Sequence, residues 1–185
     1  QSKEVSGLRI LAFESSAKAA SVAILQDGAL LGEYFQNSGQ THSRTLAKMA
    51  EDLLANCDLT VADIDAVAVA AGPGSFTGVR IGVAAAKGLA WARELPCYGV
   101  STLEAMVRGA AMCDGVYCAC MDARRAQVYN AVFSVEDGKL LRLSEDRAIS
   151  IEELGAELKN LEKAIFLVGD GAELCYNTLR VSIPA

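Results

Sequence analysis

The chain has 185 residues, 52% of them apolar, with 17 Lys and Arg against 23 Asp and Glu, a net charge of -6 and a single histidine. That is enough apolar material for one or two small domains with their own cores, and it excludes an intrinsically disordered chain. The basic residues are scattered rather than gathered into a stripe, which excludes independent nucleic-acid binding as the main activity; a role in RNA chemistry requires a partner to supply most phosphate contacts.

The first residues, QSKEVSG, are polar, lack the apolar centre of a secretory leader and read as a frayed tail. From Leu8 the chain reads RILAFESS, ASVAILQ and ALLGEYFQN, three strand-type runs with Asp27-Gly28 as the hairpin dipeptide between the last two. THSRTLAKMAEDLLANC follows. Its Leu46, Met49, Ala50, Leu53, Leu54 and Cys57 keep the spacing of one helix face, with Thr41 or Ser43 as cap. Thr60 and Asp63 fit a capping box, AVAVAA (Ala66 to Ala71) reads as a buried strand, and a glycine-rich turn leads into a helix to about Arg93. A short strand at Cys97 to Val100 and a helix from Ser101 to Met112 come next.

The pattern then begins again with GVYCACMDARRAQVYNAVFSVEDGKLLRLS, whose Asp137-Gly138 mirrors Asp27-Gly28. A helix (ISIEELGAELKNL), a buried strand (AIFLVG), a turn at Gly169, Asp170 and Gly171 and a last helix complete the echo. The order βββαβα therefore occurs twice, which predicts an α/β protein of two units, residues 8–100 and a smaller, incomplete 101–185. This is the layout of the ribonuclease-H-like fold duplicated in actin and the sugar kinases, an actin-like (ASKHA) fold. The second copy reaches RVSIPA without a terminal helix, so a C-terminal part that is truncated or unordered is expected. No run reaches the about 18 apolar residues of a membrane span, so a soluble protein is expected. The six cysteines lie mostly inside apolar runs with no CxxC pair. They fit a reducing cytoplasm, and Cys118 and Cys120 read as small buried hydrophobes rather than metal ligands.

The most specific stretch is AAGPGSFTGVRIG, Ala70 to Gly82. Gly72 and Gly74 permit a sharp turn that Pro73 stiffens, Ser75 or Thr77 caps the next helix, and free amides at that helix start would suit an anion. The spacing misses both the dinucleotide fingerprint and the Walker A loop. Within the helix Gly78, Gly82, Ala86 and Ala90 recur every four residues, a smooth stripe against which either the protein's own sheet or another subunit's helix could pack closely.

ILAFESSAKAASVAI, AGPGSFTGVRIG, LPCYGVSTLEAM, MDARRAQVY and VGDGA together resemble the TsaB (YeaZ) family over nearly the whole chain. The resemblance implies a cytoplasmic, non-catalytic scaffold that pairs with the catalytic actin-like subunit TsaD, works with the ATPase TsaE and meets tRNA only through that complex. The complex transfers a threonylcarbamoyl group to the adenosine beside the anticodon. Family members also form homodimers. Many carry Asp where this chain has Glu14.

The residues themselves argue against chemistry by this chain. With His42 alone, neither a two-histidine metal centre nor a zincin motif can form, and no nucleophile elbow accompanies it. Glu14 and Asp122 end the first strands of the two units, where actin-like ATPases orient a metal, with Ser15, Gly72, Gly74, Ser75 and Arg124 as the remaining phosphate-loop candidates. Two acids facing a phosphate repel it unless a cation intervenes. Asp122, Arg124 and Arg125 are instead expected to fix the domain cleft through ion pairs. The expectation is therefore an interaction protein with no cofactor of its own, any ATP or ADP with magnesium being weak and at a subunit joint. Its interface would be formed by Leu46, Met49, Ala50, Leu53, Gly78, Gly82, Ala86 and Ala90. A free-standing actin-like ATPase or kinase is the alternative, and a protease a weaker one.

Overall fold

The structure, a computed structural model, describes residues 7–161 and 163–180. The expectation about the C-terminal part lies outside the described residues. Two compact units are present, one running to Val100 and the other starting at Ser101.

In the first unit the apolar alternation of RILAFE and ASVAILQ produces strands β1 (Arg9–Glu14) and β2 (Ala20–Gln26), joined antiparallel, with β3 (Ala29–Gln36) antiparallel to β2. Helix α1 (His42–Asn56), strand β4 (Ala66–Gly72), helix α2 (Phe76–Arg93) and strand β5 (Cys97–Ser101) follow, giving the sheet order β3-β2-β1-β4-β5 with β4 parallel to β1. Both helices lie on one face of the sheet. Leu11, Phe13, Val22, Ile24, Val67 and Val69 meet Leu46, Leu53, Ala86 and Ala90 there, each large apolar side chain contributing roughly 2 kcal/mol of burial. The strands β1 and β2 consequently alternate buried and half-exposed residues. The Thr60 capping box forms as expected, on a 3-10 turn. Thr41 is the N-cap of α1 but its side chain makes no capping hydrogen bond.

The second unit opens with helix α3 (Thr102–Ala110), capped by Ser101, and continues with β6 (Gly115–Arg124), β7 (Gln127–Glu136), β8 (Lys139–Arg142), β9 (Arg147–Ser150), α4 (Ile151–Leu158), β10 (Ile165–Val168) and α5 (Ala172–Leu179). Its order, β10-β6-β7-β8, repeats β4-β1-β2-β3, so the duplication read in the sequence exists in the topology. Two details differ from expectation. Strand β9, which pairs with β7, takes in Ile149 and Ser150, expected to be the first residues of a helix, and Ser150 caps α4 in a box with Glu153. The strand β10, expected to be fully buried, is half-exposed because it lies at the sheet edge. Here α3 packs on one sheet face and α4 with α5 on the other, so β6 and β7 are buried on both sides through most of their length. No helix among the described residues is long and apolar enough to cross a membrane.

Three hairpins turn over two residues with positive φ, the signature of a type I′ turn. Asp27-Gly28 (φ 52 and 82) and Asp137-Gly138 (φ 51 and 70) use residues that tolerate this backbone. The β6–β7 turn instead uses Arg125 and Ala126 (φ 55 and 58), preceded by a third left-handed residue, Arg124 (φ 70). Left-handed backbone costs a residue with an ordinary side chain roughly 1–2 kcal/mol.

An ionic cluster closes the α3 side of the second sheet. Glu104 accepts from Arg108 at 2.8 Å and from Arg142 at 3.1 Å, and Arg142 also reaches Asp146 at 2.6 Å. These hydrogen bonds, Arg108 first and then Arg142, hold the Glu104 carboxyl below its ordinary pKa of 4.5. A carboxyl lowered on folding stabilises the native state above the ordinary value, and that contribution disappears as pH falls through the lowered one. Glu104→Gln should therefore flatten the acid limb of the stability profile below about pH 4.5, read by thermal melts across about pH 3–6. Superimposable profiles would show that the cluster contributes nothing.

Candidate functional site

At the C-terminal end of β1 the structure gathers five residues singled out in the sequence, Glu14, Ser15, Gly72, Gly74 and Ser75. They lock to one another. The Ser16 amide donates to Glu14 Oε1, the Ser75 amide donates to Ser16 O at 2.6 Å, Ser15 Oγ donates to Gly78 O at 2.9 Å, and Ser75 Oγ accepts from the Gly78 amide at 3.3 Å. Ser15 and Ser16 are buried. A Cβ on Gly74 would stand 2.6 Å from Ser16 O. Gly74 is thus needed to let the turn before α2 close over the β1 strand end, Gly72 supplies a positive φ of 111°, and the Glu14 carboxylate is turned onto the neighbouring amide. A phosphate approaching this loop meets the Glu14 carboxylate and finds the Ser16, Ser75 and Gly78 amides already engaged, an unfavourable setting for an anion.

The eight residues expected to form a subunit interface are placed differently. Leu46, Met49, Ala50, Leu53, Gly78, Gly82, Ala86 and Ala90 are all buried inside the first unit, between the helices and their own sheet. The expectation of a docking stripe there is corrected: a Cβ on Gly78 or Gly82 would fall inside contact distance of Ser15. The small residues exist so that α2 can approach the β1 strand end, which is the internal alternative left open by the four-residue spacing.

The opposite side of α2 carries a face that the four-residue spacing does not reveal. Phe76, Arg80, Ala84, Lys87 and Trp91 recur at three- and four-residue steps on one exposed stripe, Phe76 71% and Trp91 88% accessible. The Arg80 guanidinium lies 3.7 Å from the Phe76 ring centre, a cation–π contact that holds both side chains upright on the helix. Two aromatic rings flanking small and cationic residues form the apolar-ended face that helix pairing uses. The signal was present in the sequence, since Phe76 and Trp91 are the two aromatic residues of the helix and stand in register with Arg80 and Lys87.

In the second unit Asp122 and Arg124 are neighbours, but not as an ion pair. The Asp122 carboxylate accepts the Arg124 amide at 2.7 Å, and among the described residues neither Arg124 nor Arg125 makes an ion pair. Within the second unit the Asp122 carboxylate is thus turned back onto the backbone of the strained turn. Cys118 and Cys120 do share a face, sulfur to sulfur 3.7 Å, fully buried with Cys175 in the same core. Hydrogen bonds from Cys118 and Cys175, together with burial, push the Cys120 thiol far up, so it stays protonated and unreactive. Among the described residues no three His, Cys, Asp or Glu side chains are arranged to hold a metal. His42, half-buried at the start of α1, lies with Nε2 2.8 Å from Ala17 O, so that nitrogen carries the proton and ties the β1–β2 loop to the helix.

Comparisons with known proteins agree with this architecture. The family model for TsaD, tRNA N6-adenosine threonylcarbamoyltransferase, matches residues 33–178. The tRNA threonylcarbamoyladenosine biosynthesis protein TsaB of Bacillus subtilis (strain 168) is 32% identical over 167 residues, 90% of this chain and 73% of that protein. Its namesake in Escherichia coli (strain K12) is 36% identical, over 89% of this chain and 72% of that protein. YeaZ from Pseudomonas aeruginosa superposes with a TM-score of 0.80 at 28% identity, covering 93% of this chain and 79% of that one. With the duplicated topology, the glycine-dependent closure of α2 on β1 and relatives of this similarity aligned over most of its length, the chain belongs to the TsaB (YeaZ) family.

Proposed function

We propose that this chain is the non-catalytic subunit of a cytoplasmic tRNA threonylcarbamoyl-transferring complex, pairing with a TsaD-type catalytic subunit and working with the ATPase TsaE. The observation that carries the reading is the similarity, over about nine-tenths of the chain, to proteins named for tRNA threonylcarbamoyladenosine biosynthesis. The chemistry of the residues supports the passive role. The one histidine is committed to a loop carbonyl, the acid at the β1 strand end is turned onto an amide, and the buried thiol Cys120 is held protonated. The chain takes no cofactor of its own.

Docking is assigned to the outer face of α2. Aromatic anchors on an exposed helix supply most of the affinity of a pairing surface, and here Arg80, Ala84 and Lys87 lie between them. Alone, the chain uses the same face against a second copy of itself.

The test is reconstitution from purified TsaD-type subunit, TsaE, ATP, tRNA and threonylcarbamoyl-adenylate, with and without this chain. Modified adenosine is expected only with it. Trp91→Glu should leave the thermal melt within a degree or so, because the side chain touches almost nothing in its own unit, yet weaken pairing at least tenfold, about 1.4 kcal/mol. Normal pairing by that variant moves the interface elsewhere. Magnesium-dependent nucleotide hydrolysis by the isolated chain would replace the scaffold reading with an actin-like ATPase.

A further inference from the structure

The three two-residue hairpins share one geometry but not one composition. Two place Asp-Gly at the left-handed positions, whereas the third places Arg125 and Ala126 there and adds left-handed Arg124 before them. The low-strain solution is thus available twice within the same chain and is not used at the third turn. Strain that is kept where a simple substitution would remove it marks a side chain retained for what it does.

Both arginines are exposed at the apex. Arg108, Arg142, Arg147 and Lys163 of the same unit are each matched by a carboxylate, while Arg124 and Arg125, like Lys139, Lys159 and Arg180, have no such match among the described residues. Asp122 lies on the strand leading into the turn, and its oxygen accepts a backbone amide. The start of α4 meets the turn through the Ile151 amide on Ala126 O and brings Glu152 and Glu153 to its flank, yet neither arginine forms an ion pair with these acids. Each guanidinium presents a planar fork of N–H donors that matches a pair of phosphate oxygens.

We propose that Arg124 and Arg125 contact backbone phosphates of the tRNA, making the β6–β7 hairpin the point where this chain touches RNA inside the complex; the inference rests on the subunit role proposed for the chain. In the reconstituted reaction, Arg124→Ala with Arg125→Ala should raise KM for tRNA roughly tenfold with kcat nearly unchanged, and lower the slope of log affinity against log salt by about 1 to 2. KM for ATP should hold. Arg125→Gly with Ala126→Gly relieves the turn while removing one charge. Its melting temperature should rise by about 2–4 °C and its KM for tRNA should still increase, which separates recognition from folding. Arg125→Lys should recover part of the affinity.

An unchanged KM for tRNA and an unchanged salt slope in the double alanine variant, in a reaction that still requires the chain, overturn the hairpin assignment and leave the subunit role standing. A KM effect on ATP rather than tRNA overturns it in favour of a nucleotide phosphate. Modification that proceeds without the chain overturns the subunit role itself, and the hairpin assignment with it.

Discussion

Gly78→Ala should strongly destabilise the first unit, although it adds one methyl group. That methyl would fall inside contact distance of the Ser15 carbonyl oxygen, backbone at the end of a central strand with nowhere to move. The helix must lift instead. Lifting α2 breaks the Ser15 to Gly78 hydrogen bond and uncovers Val69 and Phe13, so a cost of about 3 kcal/mol or more is expected against a whole-domain stability of about 5–15 kcal/mol. The same helix contains its own control. Gly88 is exposed, a methyl group added there would have nothing within 4 Å, and Gly88→Ala should stabilise by up to about 1 kcal/mol through helix propensity. Urea titration of both variants decides the matter: opposite signs support the close approach, and a stable Gly78→Ala variant refutes it.

Phe133→Ala should be the most damaging truncation in the second unit. Phe133 is 0% exposed and is the largest of the fully buried side chains. Removing the ring leaves a cavity between β7 and α3 and costs about 3–5 kcal/mol. The loss extends beyond the cavity, because the Arg142 guanidinium lies 4.8 Å from the ring centre while bonded to Glu104 and Asp146. Denaturant melts should show the loss, and coupling to Arg142→Met in a double-mutant cycle should be non-additive. A cost below about 1 kcal/mol would mean that the site collapses around the missing ring.

Much of this fold could be read from the letters because local chemistry and tertiary structure agree. Asp27-Gly28 and Asp137-Gly138 turn where the dipeptide says they should, α1 follows its apolar face, and Ser75 caps α2. What escaped is what periodicity cannot encode. The four-residue rhythm of Gly78, Gly82, Ala86 and Ala90 identifies a closely packed face but not its neighbour, and that neighbour proved to be Ser15 rather than another protein. The Arg124-Arg125-Ala126 turn carries none of the Asn, Asp or Gly letters that announce left-handed backbone. Strand β9 was hidden because Ile149 and Ile151 suit a helix as well as a strand, yet Ser150 and Glu153 stood at capping-box spacing and marked where the helix begins.

The order in which strands are synthesised differs from the order in which they pair. Strand β1 sits between β2, which follows at once, and β4, whose Asp65 flank meets Arg9 across 56 positions of sequence. On a ribosome adding roughly 5–20 residues per second, the hairpin of β1 and β2 can form early while the far side of β1 waits about 3–11 s for its parallel neighbour. The second unit repeats the delay between β6 and β10. Twice during its birth, therefore, this small protein presents an unpaired central strand of mostly apolar residues to its surroundings. An open strand edge of this kind is a template for pairing with other chains, so each interval is a window for aggregation that the stability of the finished fold does not close.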